Sequence, residues 1–465
     1  MASYYVQQNL ARFPLLILWL GVQFAALFGL GILLAFFPQG CSGQTPRQPV
    51  IVQPTTWPSN DWQLPATLPL TGRGFKALDA FDGKILELMR KHNIPGASIA
   101  IAKNGRLVYA RGFGYADIQK QKPVNPNSLF RIASISKVLT AAAIMKLVQE
   151  GKLKLNHRAF RILKNSKPCR PGPIDKRLYE ITIAQLLNMT AGWDRDISGD
   201  PGFKDFSYAA AQTCGGKVPA DPLTVIRFCM GRPLDFTPGT RYAYSNLAYT
   251  TLGQIVEQVS GMPYLQYVNN EVLKPIGASS TMPGGTLLTL RKPNEVIYYD
   301  KPGAKLATPI YPDLKELVPN CYGGNFSLEA MLASGGFIST ASDLVRIGSS
   351  ISGEREGPID LGTYRLMASR APLAQGKDQE KDHYYGLGYD IYLVRNGQAF
   401  NWSKDGSLCG TRALLAHRCD HVTWAFICNT KNKENDFMKE VAETIWSGIN
   451  SVRDFSDYDL FERYR

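Results

Sequence analysis

The sequence is poor in the residue patterns that hold metal ions. Only five histidines occur in 465 residues, and no two of the eight cysteines are spaced as C-x-x-C. His417, Cys419 and His421 lie close together, but a zinc site needs four ligands at fixed spacing. Because these three residues lie where two strand-like runs meet, we expect a polar turn there. The sequence therefore predicts neither a metal site nor a cofactor.

Runs of basic residues are also missing, although 52 Lys and Arg against 39 Asp and Glu give a formal charge of +13. No five Lys or Arg are consecutive, and no helical pattern has a basic face. Nucleic-acid binding uses such a patch or stripe. The charge pattern therefore predicts a solvated surface and no nucleic-acid partner. A hydrophobic fraction of 45% is enough to build the core of a globular protein.

Charge is absent from residues 13–37, a largely apolar run that exceeds the about 20 residues needed to cross a bilayer. A cleavable signal has a shorter apolar core and a small-x-small exit. Pro38 occupies that exit here, and it also fits poorly with lipid modification of Cys41. We therefore expect a retained transmembrane signal anchor. Arg12, with no acid near it, favours a cytoplasmic segment 1–12, which leaves the rest of the chain on the periplasmic or cell-surface side.

Residues 38–73 are rich in Pro, Gln, Thr and Ser, a composition that predicts an extended tether. A globular domain is expected over residues 74–450, and the tail, residues 451–465, has no clear periodicity. Seven cysteines follow Cys41. They permit up to three disulfides, which agrees with an extracytoplasmic location.

Local patterns place strands near both ends of this domain and helices in its middle. The strongest local signal is Asn104-Gly105 between two alternating runs, which predicts a β-hairpin. The predicted strands are Ala97–Ala102, Leu107–Tyr115, Gly388–Val394, Thr411–Ala416 and Val422–Cys428. The predicted helices are Gly74–His92, Val138–Glu150, Ile183–Leu187, Leu247–Val259 and Phe437–Ile449. We expect an α+β fold, in which an antiparallel sheet built from both chain ends is flanked by helices and a largely helical subdomain is inserted at about 155–325.

Ser134 and Lys137 lie three residues apart at the start of a strongly helical run. Positions i and i+3 share a helix face, so the Lys137 amine can take the proton of the Ser134 hydroxyl. The helix N-terminus also favours negative charge beside Ser134. The pair is typical of a nucleophile activated by an adjacent base, although a serine at a helix start is often only a cap.

Two other clusters can contribute polar groups to the same cleft. Tyr244 and Asn246 follow a Pro-Gly turn and can point the same way, or Asn246 can cap the helix that follows. Lys404, Asp405 and Gly406 lead into a strand. There the glycine permits close backbone approach to a ligand and the lysine offers a cation. An ordinary β-turn is the alternative for this second cluster.

In this order and at these separations, the three clusters resemble those of the serine β-lactamase and penicillin-binding-protein superfamily, and most of all its class C-like branch. A serine and lysine spaced as S-x-x-K, with a later K-T-G, mark relatives of this group. The resemblance covers roughly Ala77 to Ile449. Further segments similar to the framework of that branch are Ile94–Ser98, Phe130–Ala133, Ile181–Leu187, Thr190–Gly192, Gly335–Thr340 and Tyr385–Gly388.

The resemblance implies a fold of the β-lactamase/transpeptidase type and assigns roles to residues. Ser134 would be the acylated nucleophile and Lys137, near a second cation and an apolar helix face, the base. Tyr244 would pass the proton to the leaving group. The remaining implied roles concern the substrate: Asn246 would bind its amide, Lys404 would shape the electrostatic field, and the backbone N–H groups of Ser134 and Ser407 would form the oxyanion hole.

One position departs from the pattern of the family. Asp405 stands where K-T-G has threonine, which normally helps to bind the carboxylate of β-lactams and D-Ala-D-Ala ends. If Asp405 faces the cleft, it repels such a carboxylate by roughly 1–3 kcal/mol. Efficient antibiotic hydrolysis is therefore not expected, whereas Lys404 keeps the pattern of lactamases and peptidases.

The expected function is that of a membrane-anchored serine hydrolase that forms an acyl-enzyme with a small-molecule or peptide substrate. β-Lactams, D-amino-acid peptides and esters all remain candidates. The alternative is a catalytically inactive member that binds cell-wall peptides or scaffolds an envelope complex. The segment 282–325 is expected to border the cleft and to influence substrate choice.

Overall fold

The computed structural model of the protein describes residues 57–464 except 60, 75, 171, 374–380, 432–435 and 456–457. The predicted cytoplasmic segment 1–12, the predicted anchor 13–37 and most of the predicted tether lie outside the described residues. All the described residues belong to one compact unit, Ile51–Arg465. In this part of the chain no helix has both the length and the apolar character required to cross a membrane.

The described strands are all paired in an antiparallel manner and form two sheets. In chain order they are β1 (Leu70–Arg73), β2 (Gly96–Lys103), β3 (Arg106–Asp117), β4 (Lys122–Pro123), β5 (Phe130–Arg131), β6 (Met282–Pro283), β7 (Phe337–Ser339), β8 (His383–Tyr385), β9 (Asp390–Val394), β10 (Ala399–Leu408), β11 (Thr411–Arg418) and β12 (Val422–Cys428). The large sheet has the order β1-β3-β2-β12-β11-β10-β9-β8, with β4 paired to β3. The small sheet has the order β5-β7-β6.

The α-helices of the described residues occur mainly between and after the two groups of strands in the large sheet. They are α1 (Asp79–Lys91), α2 (Ser136–Gln149), α3 (Ala159–Ile162), α4 (Ile183–Leu187), α5 (Arg195–Ser198), α6 (Lys204–Cys214), α7 (Pro222–Met230), α8 (Asn246–Ser260), α9 (Tyr264–Tyr267), α10 (Leu332–Gly335), α11 (Ala341–Ile351), α12 (Leu361–Met367) and α13 (Phe437–Ser451). A π-helical segment covers Val268–Leu273. The 3₁₀ helices are Lys76–Leu78, Ala133–Ile135, Lys176–Glu180, Leu288–Leu290, Asn320–Tyr322, Arg395–Gly397 and Leu460–Glu462.

The large sheet confirms the predicted α+β architecture, because its strands come from residues 70–123 and 383–428. The two ends join where β12 pairs with β2, with Ala425 opposite Ala100. Because successive side chains of a strand point to opposite faces of the sheet, these apolar strands place apolar side chains on both faces. One face packs on α1 and α13, and the other packs on a second cluster that includes α2, α8 and α11.

Local sequence signals explain several of these elements. Asn104 and Gly105 have φ angles of 50° and 73°, as expected for a two-residue turn that needs positive φ at both positions. Helix α2 contains good helix formers and ends before Gly151, whose φ of 71° suits a helix stop. Most of its side chains are buried, so α2 lies inside the domain and carries its first turn into the interior.

Three predicted boundaries differ from the structure. The predicted tether ends in β1, which pairs with β3 and therefore belongs to the sheet. The predicted helical subdomain contains α- and π-helices only as far as Leu273, and residues 274–325 contain one two-residue strand and two 3₁₀ helices of three residues each. The tail also has structure, since Phe461 is fully buried in a 3₁₀ helix. In each case the segment is ordered by contacts with distant parts of the chain, which local periodicity does not report.

Candidate active site

Ser134 lies in the short 3₁₀ turn between β5 and α2. Ala133, directly before it, has a φ of 46°, in the left-handed region that costs a non-glycine residue on the order of 1 kcal/mol. The neighbouring Ile132 is held by a hydrogen bond from its N–H to the Phe337 carbonyl. This bend leaves the Ser134 side chain half-buried while the residues on either side of it are buried, so the hydroxyl is presented at the edge of the core.

Lys137 is fully buried in the first turn of α2, and its amine is within hydrogen-bond distance of three oxygen atoms. Its Nζ is 3.2 Å from Ser134 Oγ, 2.6 Å from Asn246 Oδ1 and 2.5 Å from the Ser334 carbonyl oxygen. The structure therefore brings the predicted base to the predicted nucleophile. Ser334, from α10, is a partner that the sequence did not indicate.

Tyr244 completes the group around Ser134. Its hydroxyl is 2.7 Å from Ser134 Oγ, and the ammonium of Lys137 is 5.0 Å from the centre of its ring. Ser245 caps helix α8 by accepting a hydrogen bond from the N–H of Ala248. The predicted alternative, in which Asn246 is the cap, is wrong, because Asn246 is the first residue of the helix and points at Lys137.

Lys404 provides a second buried cation beside Tyr244. Its Nζ is 5.5 Å from the ring centre of Tyr244 and 5.0 Å from that of Tyr385. It also lies 3.7 Å from Asp390 Oδ2 and 3.5 Å from Asp405 Oδ1. Lys404 is 2% exposed, so its charge acts in a poorly screened environment.

The two cations and the phenol shift one another's pKa values. Burial lowers the pKa of the Lys137 amine, against an opposing effect of Tyr244. Burial by itself would raise the pKa of Tyr244, but the charges of Lys137 and Lys404 outweigh it and the pKa is lowered. Burial likewise disfavours charge on Lys404, yet Tyr244 and Asp390 raise its pKa above the usual range. The site therefore favours a proton acceptor at Lys137 or Tyr244 and a permanent cation at Lys404.

Gly406 allows β10 to approach the turn that carries Ser134. A Cβ atom at this position would lie 2.2 Å from the Ile132 carbonyl oxygen, a distance that excludes any side chain. The close approach that we predicted for a ligand is thus made to the protein backbone. It brings β10 against the turn of Ser134, the arrangement that the predicted oxyanion hole of the Ser134 and Ser407 N–H groups requires. That role remains a prediction.

Asp405 lies on the other face of β10. It is opposite Leu414, which packs on the α1/α13 face, whereas Lys404 and Gly406 share the face of the Ser134 turn. The repulsion of a substrate carboxylate was predicted on the condition that Asp405 faces the cleft. The alternation of the strand removes that condition, and the carboxylate acts instead on Lys404.

Two residues that the sequence did not reveal surround Asn246 and Tyr244. The Asn246 Nδ2 group donates to Asp200 Oδ2 at 2.7 Å, and the Arg195 guanidinium lies 4.6 Å from the ring centre of Tyr244. Both residues come from the segment around α5, which lacks a distinctive motif. Asn246, which we predicted to bind the substrate amide, has both polar side-chain atoms engaged within the protein.

The segment 282–325 is joined to the site region by a disulfide between Cys321 and Cys409, one residue beyond β10. Asn325 also lines a cavity of about 820 Å³ together with Asp200 and Phe203. The influence of this segment on substrate choice remains a prediction.

His417 and His421 do not converge on a metal site. His417 forms a hydrogen bond with Thr423, and His421 forms one with Glu354.

Comparison with known proteins gives related sequences. The Beta-lactamase family model matches residues 81–445. Protein flp of Staphylococcus aureus strain N315 is 35% identical over 199 residues, which are 43% of this chain and 37% of flp. The mouse mitochondrial serine beta-lactamase-like protein LACTB is 26% identical over 341 residues, 61% of this chain and 59% of LACTB. The matches thus span between 37% and 59% of the length of these relatives.

Comparison with solved structures gives the same fold at low sequence identity. The penicillin-binding protein homologue from Pyrococcus abyssi has a TM-score of 0.61 and 24% identity, covering 81% of this chain and 79% of its own. The D-amino acid amidase from Ochrobactrum anthropi SV3 has a TM-score of 0.60 and 20% identity, covering 81% and 98%. With a family match over most of its length, this chain belongs to the β-lactamase family and is a serine hydrolase at the family level.

Proposed function

We propose that this protein hydrolyses an amide, peptide or ester through an acyl-enzyme formed on Ser134. One observation carries the proposal: Ser134 Oγ is within hydrogen-bond distance of both the Tyr244 hydroxyl and the Lys137 amine. A serine hydroxyl is a weak nucleophile unless a base removes its proton. Here two candidate bases contact it, and the pKa of each is lowered by its surroundings.

The proposed reaction has two halves. Ser134 Oγ attacks the substrate carbonyl carbon while its proton passes to Tyr244 or Lys137. The carbonyl oxygen becomes an oxyanion that the N–H groups of Ser134 and Ser407 stabilise by about 3 kcal/mol per donor. The proton then moves to the leaving amine or alcohol, which departs. In the second half, water or another acceptor attacks the acyl carbonyl carbon while the same base takes its proton. The bond from that carbon to Ser134 Oγ breaks, and the base returns the proton to Oγ.

We propose that carboxylate-bearing substrates such as β-lactams and D-amino-acid peptides bind weakly at Lys404. Two acids lie within 4 Å of its ammonium group, so much of the charge that would attract a substrate carboxylate is already balanced. This argument replaces direct repulsion by Asp405. Amides and esters that lack a carboxylate avoid this limit, and a D-amino acid amidase is among the proteins of similar fold.

We also propose that the catalytic domain is extracytoplasmic and held to the membrane by residues 13–37. Support comes from the uncharged run in the sequence and from two disulfides, Cys169–Cys214 and Cys321–Cys409. Disulfides of this kind persist in oxidising compartments.

Labelling the purified protein with a fluorescent fluorophosphonate and a fluorescent penicillin tests the proposal. We expect fluorophosphonate labelling of the wild type and none of Ser134→Ala, with weaker labelling by penicillin and slow nitrocefin turnover. Labelling that survives in Ser134→Ala would place the nucleophile elsewhere. Absence of labelling by both probes in folded wild-type protein would instead favour the inactive, peptide-binding alternative.

A further inference from the structure

Asp200 determines which end of the Asn246 amide faces Lys137. A carboxylate can only accept hydrogen bonds, so the Asn246 Nδ2 group, which donates, must face Asp200. The distance of 2.7 Å from Nδ2 to Asp200 Oδ2 fits this orientation. The oxygen Oδ1 is then left to face Lys137 Nζ, at 2.6 Å.

The position of Asp200 is itself well defined. Its second oxygen accepts from the Gly202 N–H at 3.3 Å, and the Arg195 guanidinium lies 3.9 Å from Oδ2. The side chain is only 13% exposed. Ser198 anchors the preceding residues by donating to Asp235 at 2.5 Å. The carboxylate is thus fixed before any substrate arrives.

The oriented amide restricts the direction of the Lys137 lone pair. A neutral amine has two N–H donors and one lone pair. The two closest acceptors, Asn246 Oδ1 and the Ser334 carbonyl, take the two donors. The lone pair is left to face Ser134 Oγ at 3.2 Å, the geometry in which Lys137 can accept the serine proton.

We propose that Asp200 is a positioning residue, which acts through Asn246 to hold Lys137 with its lone pair toward Ser134. The inference rests on the proposed function, since it concerns the same nucleophile. Asp200 does not touch Ser134, and its effect passes through one intervening side chain. Its negative charge also favours the charged form of Lys137, so the residue lowers the fraction of neutral amine while it fixes the orientation of that amine.

The pH dependence follows from the charged and titratable groups around Lys137. These are Tyr244, Lys404 and Asp200, with Arg195 behind Tyr244 and the Tyr249 ring 5.6 Å away. Replacing Asp200 by asparagine removes a charge that raises the pKa of Lys137. The acid limb of kcat/KM, which reports the base in the free enzyme, should therefore move to lower pH.

The test compares Asp200→Asn with Asp205→Asn in the full chain. Asp205 lines the same cavity as Asp200 but is exposed, so it controls for loss of a carboxylate there. With a chromogenic ester as substrate, we expect Asp200→Asn to lower kcat by roughly ten- to hundredfold, because an amide can donate as well as accept and no longer fixes which end of Asn246 faces it. KM should stay within about twofold, and the acid limb of kcat/KM should lie at lower pH. Asp205→Asn should match wild type. Equal behaviour of the two variants, or a lower kcat with an unmoved acid limb, would overturn the inference.

A double-mutant cycle tests the route through Asn246. If Asp200 positions Lys137 through that amide, Asp200→Asn should have little further effect on kcat in an Asn246→Ala background, whereas its direct charge effect on the pKa of Lys137 should persist. Additive losses would contradict the inference. Should Asp200→Asn not fold, Asp200→Ser serves in its place, because a hydroxyl carries no charge and can donate as well as accept, so it does not fix the orientation of the Asn246 amide.

A readout that does not need turnover separates this inference from the proposed function. In protein labelled with ¹³Cε-lysine, the Lys137 signal is assigned by its loss in Lys137→Arg and followed against pH. We expect its titration at lower pH in Asp200→Asn than in wild type or Asp205→Asn. If wild type reacts with no acylating probe, the proposed function fails, but the titration still tests whether Asp200 affects Lys137. A Lys137 titration that is the same in Asp200→Asn and in wild type would refute the inference.

Discussion

At the scale of single residues, burial raises the pKa of Tyr244, and two buried cations, Lys137 and then Lys404, lower it. Lys404 is the one of the two that does not contact Ser134. The buried charge of Lys404 lowers the pKa of the Tyr244 phenol and also that of the Lys137 amine. We expect Lys404→Gln to raise both pKa values, so the acid limb of kcat/KM should move to higher pH with either group as the base, opposite to the shift expected for Asp200→Asn. Activity at neutral pH should fall at least tenfold. The measurement is a pH profile of hydrolysis.

The control for this variant is Lys154→Gln, which removes the same charge at an exposed position. It should leave the profile unchanged. A Lys404→Gln profile that keeps its acid limb while losing activity would mean that Lys404 binds substrate without tuning Tyr244.

Residues of the site differ in how far the sequence predicts them. Ser134 and Lys137 were predictable as a pair, since their spacing on a helix brings them together. The orientation of Asp405 could also have been predicted, because Lys404 and Asp405 are successive residues of a strand and therefore point to opposite faces of the sheet. Asp200 was not, since it contacts Asn246, 46 positions later, from a loop whose local sequence has no periodic signal.

At the scale of elements, the segment after α13 is a docked part of the fold. Phe461 is fully buried, with the Arg346 guanidinium 4.1 Å from the centre of its ring. Asp459 accepts from the Leu107 N–H at 3.0 Å, which ties the segment to β3. The segment therefore covers one edge of the core.

We expect Phe461→Ala to lower the free energy of unfolding by about 3 kcal/mol, the loss typical of a buried phenylalanine. Urea unfolding followed by fluorescence measures it. Phe461→Leu, which keeps most of the apolar volume, should lose less than about half as much. Equal stability of Phe461→Ala and wild type would show that the segment does not dock in solution.

Elements with strong local signals were predicted well, and those that depend on distant contacts were not. The turn at Asn104 and Gly105 and the helix after Ser134 follow from residue preferences within a few positions. The strand Leu70–Arg73 and the helix at Leu460–Glu462 exist because β3 offers them a partner. A short segment cannot show such a partner in its own sequence.

At the scale of the whole molecule, strands from residues 70–123 and 383–428 form one large sheet. The candidate site lies where three distant segments of the chain meet. Ser134 comes from the turn after β5 of the small sheet, Tyr244 from the helical insertion and Lys404 from β10 of the large sheet. The close approach of Gly406 to the Ile132 carbonyl brings β10 against the Ser134 turn. Two disulfides add covalent links, joining residues 45 and 88 positions apart.

The disulfides should contribute to stability to a similar degree but differ in their effect on the site. Loss of either link should cost about 2–4 kcal/mol, because the unfolded chain gains freedom. Cys409 directly follows the last residue of β10, whereas Cys214 ends α6. We therefore expect Cys321→Ser with Cys409→Ser to slow fluorophosphonate labelling of Ser134, and Cys169→Ser with Cys214→Ser to leave it near the wild-type rate. The midpoints of urea unfolding, measured for the wild type and both double variants with and without dithiothreitol, give the change in the free energy of unfolding. A wild-type midpoint that does not respond to reduction would show that these cysteines are unpaired, and would remove one support for the extracytoplasmic location.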